Sequence, residues 1–284
     1  MDLKRPTRVS IVTCSFNQRR YLETAMRSVL TQKGVDLEYI VIDGGSSDGS
    51  AEVVERNGPS LAYWVSERDH GQSEALNKGL RRATGDIVGW LCSDDVLLPG
   101  ALERMVHRFD ADESIDAIYG NAVLIDSEDA LIRLKREIAF HPWILSEDHN
   151  YIPQPAMFWR RRLHDSLGYL REDLHLTMDL ELWLRFARHA VKVVHVDDYW
   201  AAMRCHDLQK VFTQTEALRA ENEALRKEYE AVGPRVHPRA FAAMAARTLR
   251  VILKALEGGY RSGVPRTVVE ALKAIRGVEG GGVA

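Results

Sequence analysis

The chain has 284 residues, 45% of them apolar and 28% charged, with a net charge of −3. That is ordinary globular usage, so whole-chain disorder is excluded, and the slightly acidic balance excludes a polyelectrolyte built for nucleic acid. No apolar stretch approaches the roughly 18–20 residues that span a bilayer, no apolar signal core follows Met1, and Cys14, Cys92 and Cys205 form no C-x-x-C, so a reducing, cytoplasmic location is the expectation.

Val9–Cys14 is a short apolar, β-branched run and reads as a buried strand, with Ser15-Phe16-Asn17 as its exit loop. Tyr21–Gln32 has helical spacing and ends at Gly34. Tyr39–Ile42 is a second strand, and the glycines of Asp43-Gly44-Gly45-Ser46-Ser47-Asp48-Gly49 demand a loop. A helix over Ala51–Arg56 and a strand over Leu61–Val65 follow. Ser66–Gln72 is polar loop, Ser73–Ala83 is helical, and Asp86–Leu91 is a strand running into Ser93-Asp94-Asp95. This alternation predicts an α/β fold with a largely parallel sheet, in which ligands bind at the carboxyl ends of the strands. Asn17, Asp43, Arg68/Asp69 and Asp94/Asp95 each fall just after a predicted strand, which points to one shared site.

Further on, Asp116–Gly120, Ala122–Ile125, Leu131–Glu137 and Val191–Val196 read as strands. Pro153 and Pro155 bracket an irregular stretch leading to Phe158-Trp159. Asp179–His189 is an amphipathic helix, and helices are predicted over Glu216–Glu230, Arg239–Leu256 and Arg266–Ile275 before a glycine-rich end at 280–282. Between Arg235 and Arg276 nine Lys/Arg face two acids, a net +7 that leaves −10 for the rest of the chain and marks a boundary.

Adjacent carboxylates repel unless a cation or proton shares their site, so Asp94 and Asp95 fit either a divalent ion or a helix N-cap before Pro99. Asp43 fits a ligand contact or an Asx-turn. Asn77 sits inside a predicted helix, where Asn is unfavourable, which suggests a hydrogen-bonding role. His141, His149, His164 and His175 lack metal-ligand spacing, and Arg160-Arg161-Arg162 reads as a solvated face. Trp159, Trp183 and Trp200 fit core packing better than an acceptor cleft.

Taken together, Val9–Asn17, Val41–Gly49, Gly71–Gly79, Gly85-Asp86 and Leu91–Asp95 resemble the family-2 glycosyltransferases in order and spacing, and Pro153–Ala156, Gly168, Met178–Arg185 and Arg204-Cys205-His206 extend the likeness to about residue 206. The resemblance implies an inverting enzyme of GT-A fold: a Rossmann-like, mostly parallel central sheet flanked by helices. It implies a catalytic domain over 1–206, with a nucleotide-sugar half (1–110) and an acceptor half (111–206); the charge shift and helical spacing beyond it predict a C-terminal helical appendage over 207–284. Phe16 would flank the nucleobase and Asp43 would bind its edge, usually uracil. Cys14, Asn17, Arg68, Asn77 and Asp94 join that nucleotide-sugar set. Asp94 and Asp95 would hold Mn²⁺ or Mg²⁺, with His206 approaching the metal or diphosphate, and Asp179 would be the catalytic base, with Glu181 as its rival. The donor would be a nucleotide sugar, a UDP-sugar by the resemblance, and the acceptor a saccharide or lipid-linked saccharide in surface polysaccharide or glycan synthesis. Two departures stand out: a carboxylate often present in the metal motif is Cys92 here, and the second acid after the second strand is Gly44.

Other enzymes fit less well. A sugar nucleotidyltransferase should carry a glycine-rich basic loop after the first strand, and a dinucleotide-dependent oxidoreductase a G-x-G-x-x-G; Ser15–Arg20 has neither. A non-catalytic nucleotide-sugar-binding scaffold is opposed by the intact Asp94, Asp95 and Asp179. In Arg239–Leu256 an apolar stripe (Phe241, Ala245, Leu249, Ile252, Leu256) lies opposite Arg247, Arg250 and Lys254. Such a helix either docks on its own chain or a second copy as a homodimer, or rests peripherally on the inner face of the cytoplasmic membrane.

Overall fold

A computed structural model describes residues 6–207, 209–229, 239–261 and 263–276; the glycine-rich end at 280–282 lies outside them. The first half alternates as its pattern predicts: β1 (Arg8–Ser15), α1 (Arg19–Leu30), β2 (Asp36–Asp43), α2 (Ser50–Asn57), β3 (Tyr63–Ser66), α3 (Gln72–Arg82) and β4 (Ile87–Cys92). β1 pairs in parallel with both β2 and β4, and β2 with β3. The unbroken apolar runs of these strands follow from burial on both faces. Val12, Ile40, Val88 and Trp90 face a layer that includes α3, while Ile11, Val41, Ile87 and Leu91 face a layer that includes α1. Gly79 lets α3 approach β1 closely, since a Cβ there would lie 2.4 Å from a Val12 methyl.

Beyond β4 the chain forms β5 (Val96–Leu97), α4 (Ala101–Ala111), β6 (Ala117–Ile125), β7 (Leu131–Lys135), α5 (Pro142–Glu147), β8 (Met157–Arg160), α6 (Arg162–Leu167), α7 (Met178–Arg188) and β9 (Val193–Arg204). The strand order is β3-β2-β1-β4-β8-β6-β9-β5, with β7 beside β6. The sheet is largely parallel, as expected: parallel pairing is continuous from β3 to β4 and returns between β6 and β9, while β8 runs antiparallel to β4 and β6. Gly120 does not split two strands but continues β6, where its missing Cβ leaves room for the Trp200 ring, which a Cβ there would approach to 2.6 Å. The stretch around Phe158 becomes β8, and β9 continues past Asp197-Asp198 to Arg204. Asp198 is accommodated there by Arg104 and the Trp200 indole N–H. Trp159, Trp183 and Trp200 are fully buried core residues.

The C-terminal helices are α8 (Lys210–Thr213), α9 (Thr215–Glu228), α10 (Arg239–Leu256) and α11 (Arg266–Arg276). They share cores with the sheet across the expected boundary at 206. Leu225 and Tyr229 join the Trp183 layer, and Val268, Leu272 and Ile275 pack with Val96, Val123 and Ala202. α10 differs from its sequence pattern. Its apolar stripe divides: Leu249 and Leu253 pack inward, while Phe241, Met244, Ile252 and Leu256 are exposed. Two of its basic residues turn inward, Arg250 to Asp148 at 2.5 Å and Lys254 to Glu137 at 3.7 Å. Opposite charges on neighbouring elements thus decide which side of the helix docks, a factor that helical periodicity alone does not contain. Among the described residues no helix is long and apolar enough to cross a membrane.

Candidate active site

The carboxyl ends of β1, β2, β3 and β4 open into one cleft of about 830 Å³, with Met178 and Asp179 of α7 also in its lining. At the β1 end, Cys14 lies buried in the lining and Phe16 projects at the mouth, 60% exposed. An aromatic ring left in water beside a cleft is suited to stacking on a planar ligand. Asn17 takes a left-handed backbone (φ 51°) and ties two loops together. Its N–H donates to Ser46 Oγ at 2.8 Å and its Oδ1 accepts from the Ser47 N–H at 2.9 Å.

Asp43 is fully buried, and its carboxylate is engaged locally. Oδ2 accepts from the N–H of Gly45 and Ser46 and from Ser66 Oγ, at 3.2, 2.9 and 2.6 Å, and Oδ1 accepts from Ser46 Oγ at 2.5 Å. These bonds form an Asx-type turn stapled to β3. Of the two meanings the sequence left open for Asp43, they fill the structural one. Asn77 also departs from the nucleotide-binding set. It is buried, and its amide both donates to Leu170 O and accepts from Leu170 N, at 2.9 and 3.0 Å. It clamps the 170–172 segment onto α3 and is not among the cleft-lining residues. Arg68 is exposed at the cleft wall.

At the β4 end Cys92, Asp94 and Asp95 converge, their ligand atoms all within 4.8 Å of one another. Asp95 is buried, and burial first, then the Asp94 charge, pushes its carboxyl well above the ordinary range. Two hard oxygen donors so placed, one of them lacking a full counter-charge, fit a divalent cation of the Mg²⁺ or Mn²⁺ kind. A thiol is a poor ligand for such ions, and Cys92 is otherwise engaged: Gln72 Nε2 donates to its Sγ (3.4 Å), which donates to Gln154 Oε1 (3.5 Å). His206, expected to approach the metal or diphosphate, places Nε2 3.1 Å from Asp94 Oδ2, beside the acidic pair. Arg204 holds the pair in place: its N–H donates to Asp95 Oδ1 (3.0 Å) and its Nε to Asp94 O (2.9 Å). The sequence motif contained Arg204 but assigned it no role.

Asp179 lies in the first turn of α7, where the helix dipole lowers a carboxyl pKa and burial raises it. Burial wins and lifts it to about 6, against smaller opposing effects of the Leu180 N–H and Asn150. Asn150 Nδ2 donates to Oδ2 at 2.7 Å. Glu181, the rival, is buried elsewhere: it pairs with Arg185 and accepts from Tyr229 OH at 2.6 Å. The turn leading into α7 is gathered by Glu221 of α9, whose carboxylate accepts from the N–H groups of His175, Leu176 and Thr177, each at 3.0 Å. A residue beyond the expected domain boundary thus positions the helix that carries Asp179. His175, Gln154 and Gln209 also line the cleft and were given no role from sequence; Asp69 lines it too, where its position after a predicted strand had put it.

The family model described as glycosyl transferase family 2 matches residues 10–172. An uncharacterized glycosyltransferase of Nostoc sp. is 32% identical over 178 residues, 61% of this chain and 54% of that protein. One from Mycobacterium tuberculosis is 30% identical over 181 residues, 63% of this chain and 68% of that protein. The chain thus spans about half the length of the Nostoc relative. Among solved structures, S. aureus TarS (residues 1–349) in complex with UDP superposes with a TM-score of 0.62 at 15% identity, covering 88% of this chain and 74% of that one. The mannosyltransferase PcManGT from Pyrobaculum calidifontis, in complex with GDP-Man and Mn²⁺, gives 0.61 at 18% identity, covering 97% and 81%. At those identities the likeness shows the fold, which is GT-A.

Proposed function

The chain belongs to glycosyl transferase family 2 and is a glycosyltransferase, and from that premise we propose that it moves a sugar, with inversion, from a nucleoside-diphosphate donor to a hydroxyl of a saccharide or lipid-linked saccharide. The observation that carries this reading is a single cleft lined both by the Asp94/Asp95 pair at the end of β4 and by a carboxylate from another element, Asp179 of α7. Asp94 and Asp95 would hold the divalent cation, whose charge neutralises the departing diphosphate when it is bound. Phe16 flanks the base at the cleft mouth.

Asp179 accepts the proton of the acceptor hydroxyl. The hydroxyl oxygen bonds to the anomeric carbon as the bond from that carbon to the phosphate oxygen breaks, and the diphosphate carries away the electron pair. A base on the far side of the sugar from the leaving group inverts the anomeric centre. A carboxyl titrating near 6 is largely ionised at pH 7 yet more basic than an ordinary Asp, which suits this role.

The donors bound by the neighbours, UDP-GlcNAc in TarS and GDP-Man in PcManGT, support a nucleotide-sugar donor here. A lipid-linked acceptor would lie at a bilayer surface, and the exposed apolar half of α10 supports contact there. The test is release of nucleoside diphosphate from a panel of UDP- and GDP-sugars with Mn²⁺, with water or added saccharide as acceptor. Turnover that is lost in Asp179→Asn is the expected result. No turnover and no nucleotide binding across the panel would refute the reading.

A further inference from the structure

Asp69 has no role in the machinery described so far, yet its carboxylate stands directly over the β2 loop. A Cβ placed on Gly44 would lie 2.6 Å from Asp69 Oδ2. The glycine therefore vacates the space that the Asp69 side chain fills from the neighbouring loop. Oδ1 accepts from the Gly71 N–H at 2.9 Å, while Oδ2 makes no hydrogen bond among the described residues. Asp69 lines the cleft, as do Gly45 and Gln72, and Asp43 does not.

The strand order says which part of a nucleotide lies nearby. The cation-binding acids are at the end of β4, and β1, β2 and β3 follow it in sequence across the sheet. Strands about 4.8 Å apart put β3 about 14 Å from β4, comparable to an extended nucleoside diphosphate. With the diphosphate at Asp94 and Asp95, the base reaches the ends of β2 and β3, where Gly44 and Gly45 lie against the Arg68–Asp69 loop and Phe16 belongs to the same cleft lining.

We propose that Asp69, through the space left by Gly44, reads the nucleobase of the donor and selects a base with a ring N–H, uracil or guanine. This rests on the reading of the cleft as a nucleotide-sugar site. A carboxylate accepts from N3–H of uracil or N1–H of guanine, whereas the corresponding ring nitrogen of cytosine or adenine presents a lone pair that repels it. Burial already raises the Asp69 pKa, and an N–H donated to the ionised form offsets that penalty.

Calorimetric titration with Mn²⁺ present tests this, using UDP, GDP, CDP, ADP and inorganic pyrophosphate. The wild type should bind UDP or GDP roughly tenfold or more above CDP and ADP. Asp69→Asn should lose that preference and leave pyrophosphate affinity unchanged. Gly44 lies outside the positive-φ region that disfavours a side chain, so Gly44→Ala acts by pushing Asp69 aside; it should lose the preference equally, with an unchanged melting temperature. A preference that survives in both variants overturns the proposal, as does an equal loss for pyrophosphate. A wild type that binds pyrophosphate and all four nucleotides alike overturns Asp69 alone. A wild type that binds none of them overturns the donor-site reading as well.

Discussion

Replacing Asp179 by asparagine should stabilise the free protein while abolishing transfer. The carboxyl is lifted from 3.8 to about 6 in the folded chain, chiefly by burial. Between those values the native state binds more protons than the unfolded state, so stability falls as pH rises through that window. Above it, the ionised side chain costs about 3 kcal/mol relative to the protonated one, taken as an upper bound at 1.36 kcal/mol per unit. Asparagine removes the charge and keeps the shape. It can still accept from the Leu180 N–H, now 2.8 Å from Oδ1. Asn150 Oδ1 is buried without a partner, so reversing that amide lets it accept from the new Nδ2. The net gain should be about 1–3 kcal/mol, or about 2–4 °C in melting temperature per kcal/mol for a chain of this size. Thermal unfolding of both proteins at pH 4 and pH 7.5 measures it. The two should melt much closer together at pH 4 than at pH 7.5, where the variant should be clearly the more stable. A less stable variant at pH 7.5, or a difference independent of pH, would refute the argument that an uncompensated charge is buried there. Because the base must be ionised in the free enzyme, wild-type kcat/KM should rise with pH and level off above about 6.

Asp95→Asn should weaken Mn²⁺-dependent nucleotide binding tenfold or more with an unchanged far-UV spectrum, and Mn²⁺ affinity of the wild type should rise with pH as the ion displaces the Asp95 proton, both read by calorimetry. Glu181→Gln should cost about 3–5 kcal/mol by stranding Arg185, yet retain turnover per folded molecule, which separates it from Asp179. Asn77→Ala leaves the buried Leu170 N–H and carbonyl without their partner and should cost about 2–4 kcal/mol in denaturant unfolding, with donor affinity preserved. The paired variant Ile252→Ser/Leu256→Ser should lose sedimentation with anionic vesicles, and salt should weaken wild-type binding only modestly because Arg250 and Lys254 are paired internally.

The first half of the fold was legible because its signals are local. Runs such as Val9–Cys14 and Tyr39–Ile42 are apolar on both alternating faces, glycines mark the loops, and each acid of interest falls at a strand end. The second half was harder to read because its strands lack that uniformity. β8 is four residues long, β6 contains a glycine explained by the close approach of Trp200 and the Asp198 carbonyl, and β9 carries two aspartates whose partners lie elsewhere.

Residue type and spacing already name the groups able to act: Asp94 and Asp95 beside β4, Asp179 or Glu181 on one helix, Asp43 or Asp69 after neighbouring strands. Tertiary structure alone decided which of them are free to do so. Ser46 and Ser66 engage Asp43, Tyr229 and Arg185 engage Glu181, and Leu170 engages Asn77, whereas Asp69 and Asp179 face the cleft. Most of those partners are distant in the chain, so local pattern carries no trace of them. A polar side chain that packing has already hydrogen-bonded has little left to offer a ligand.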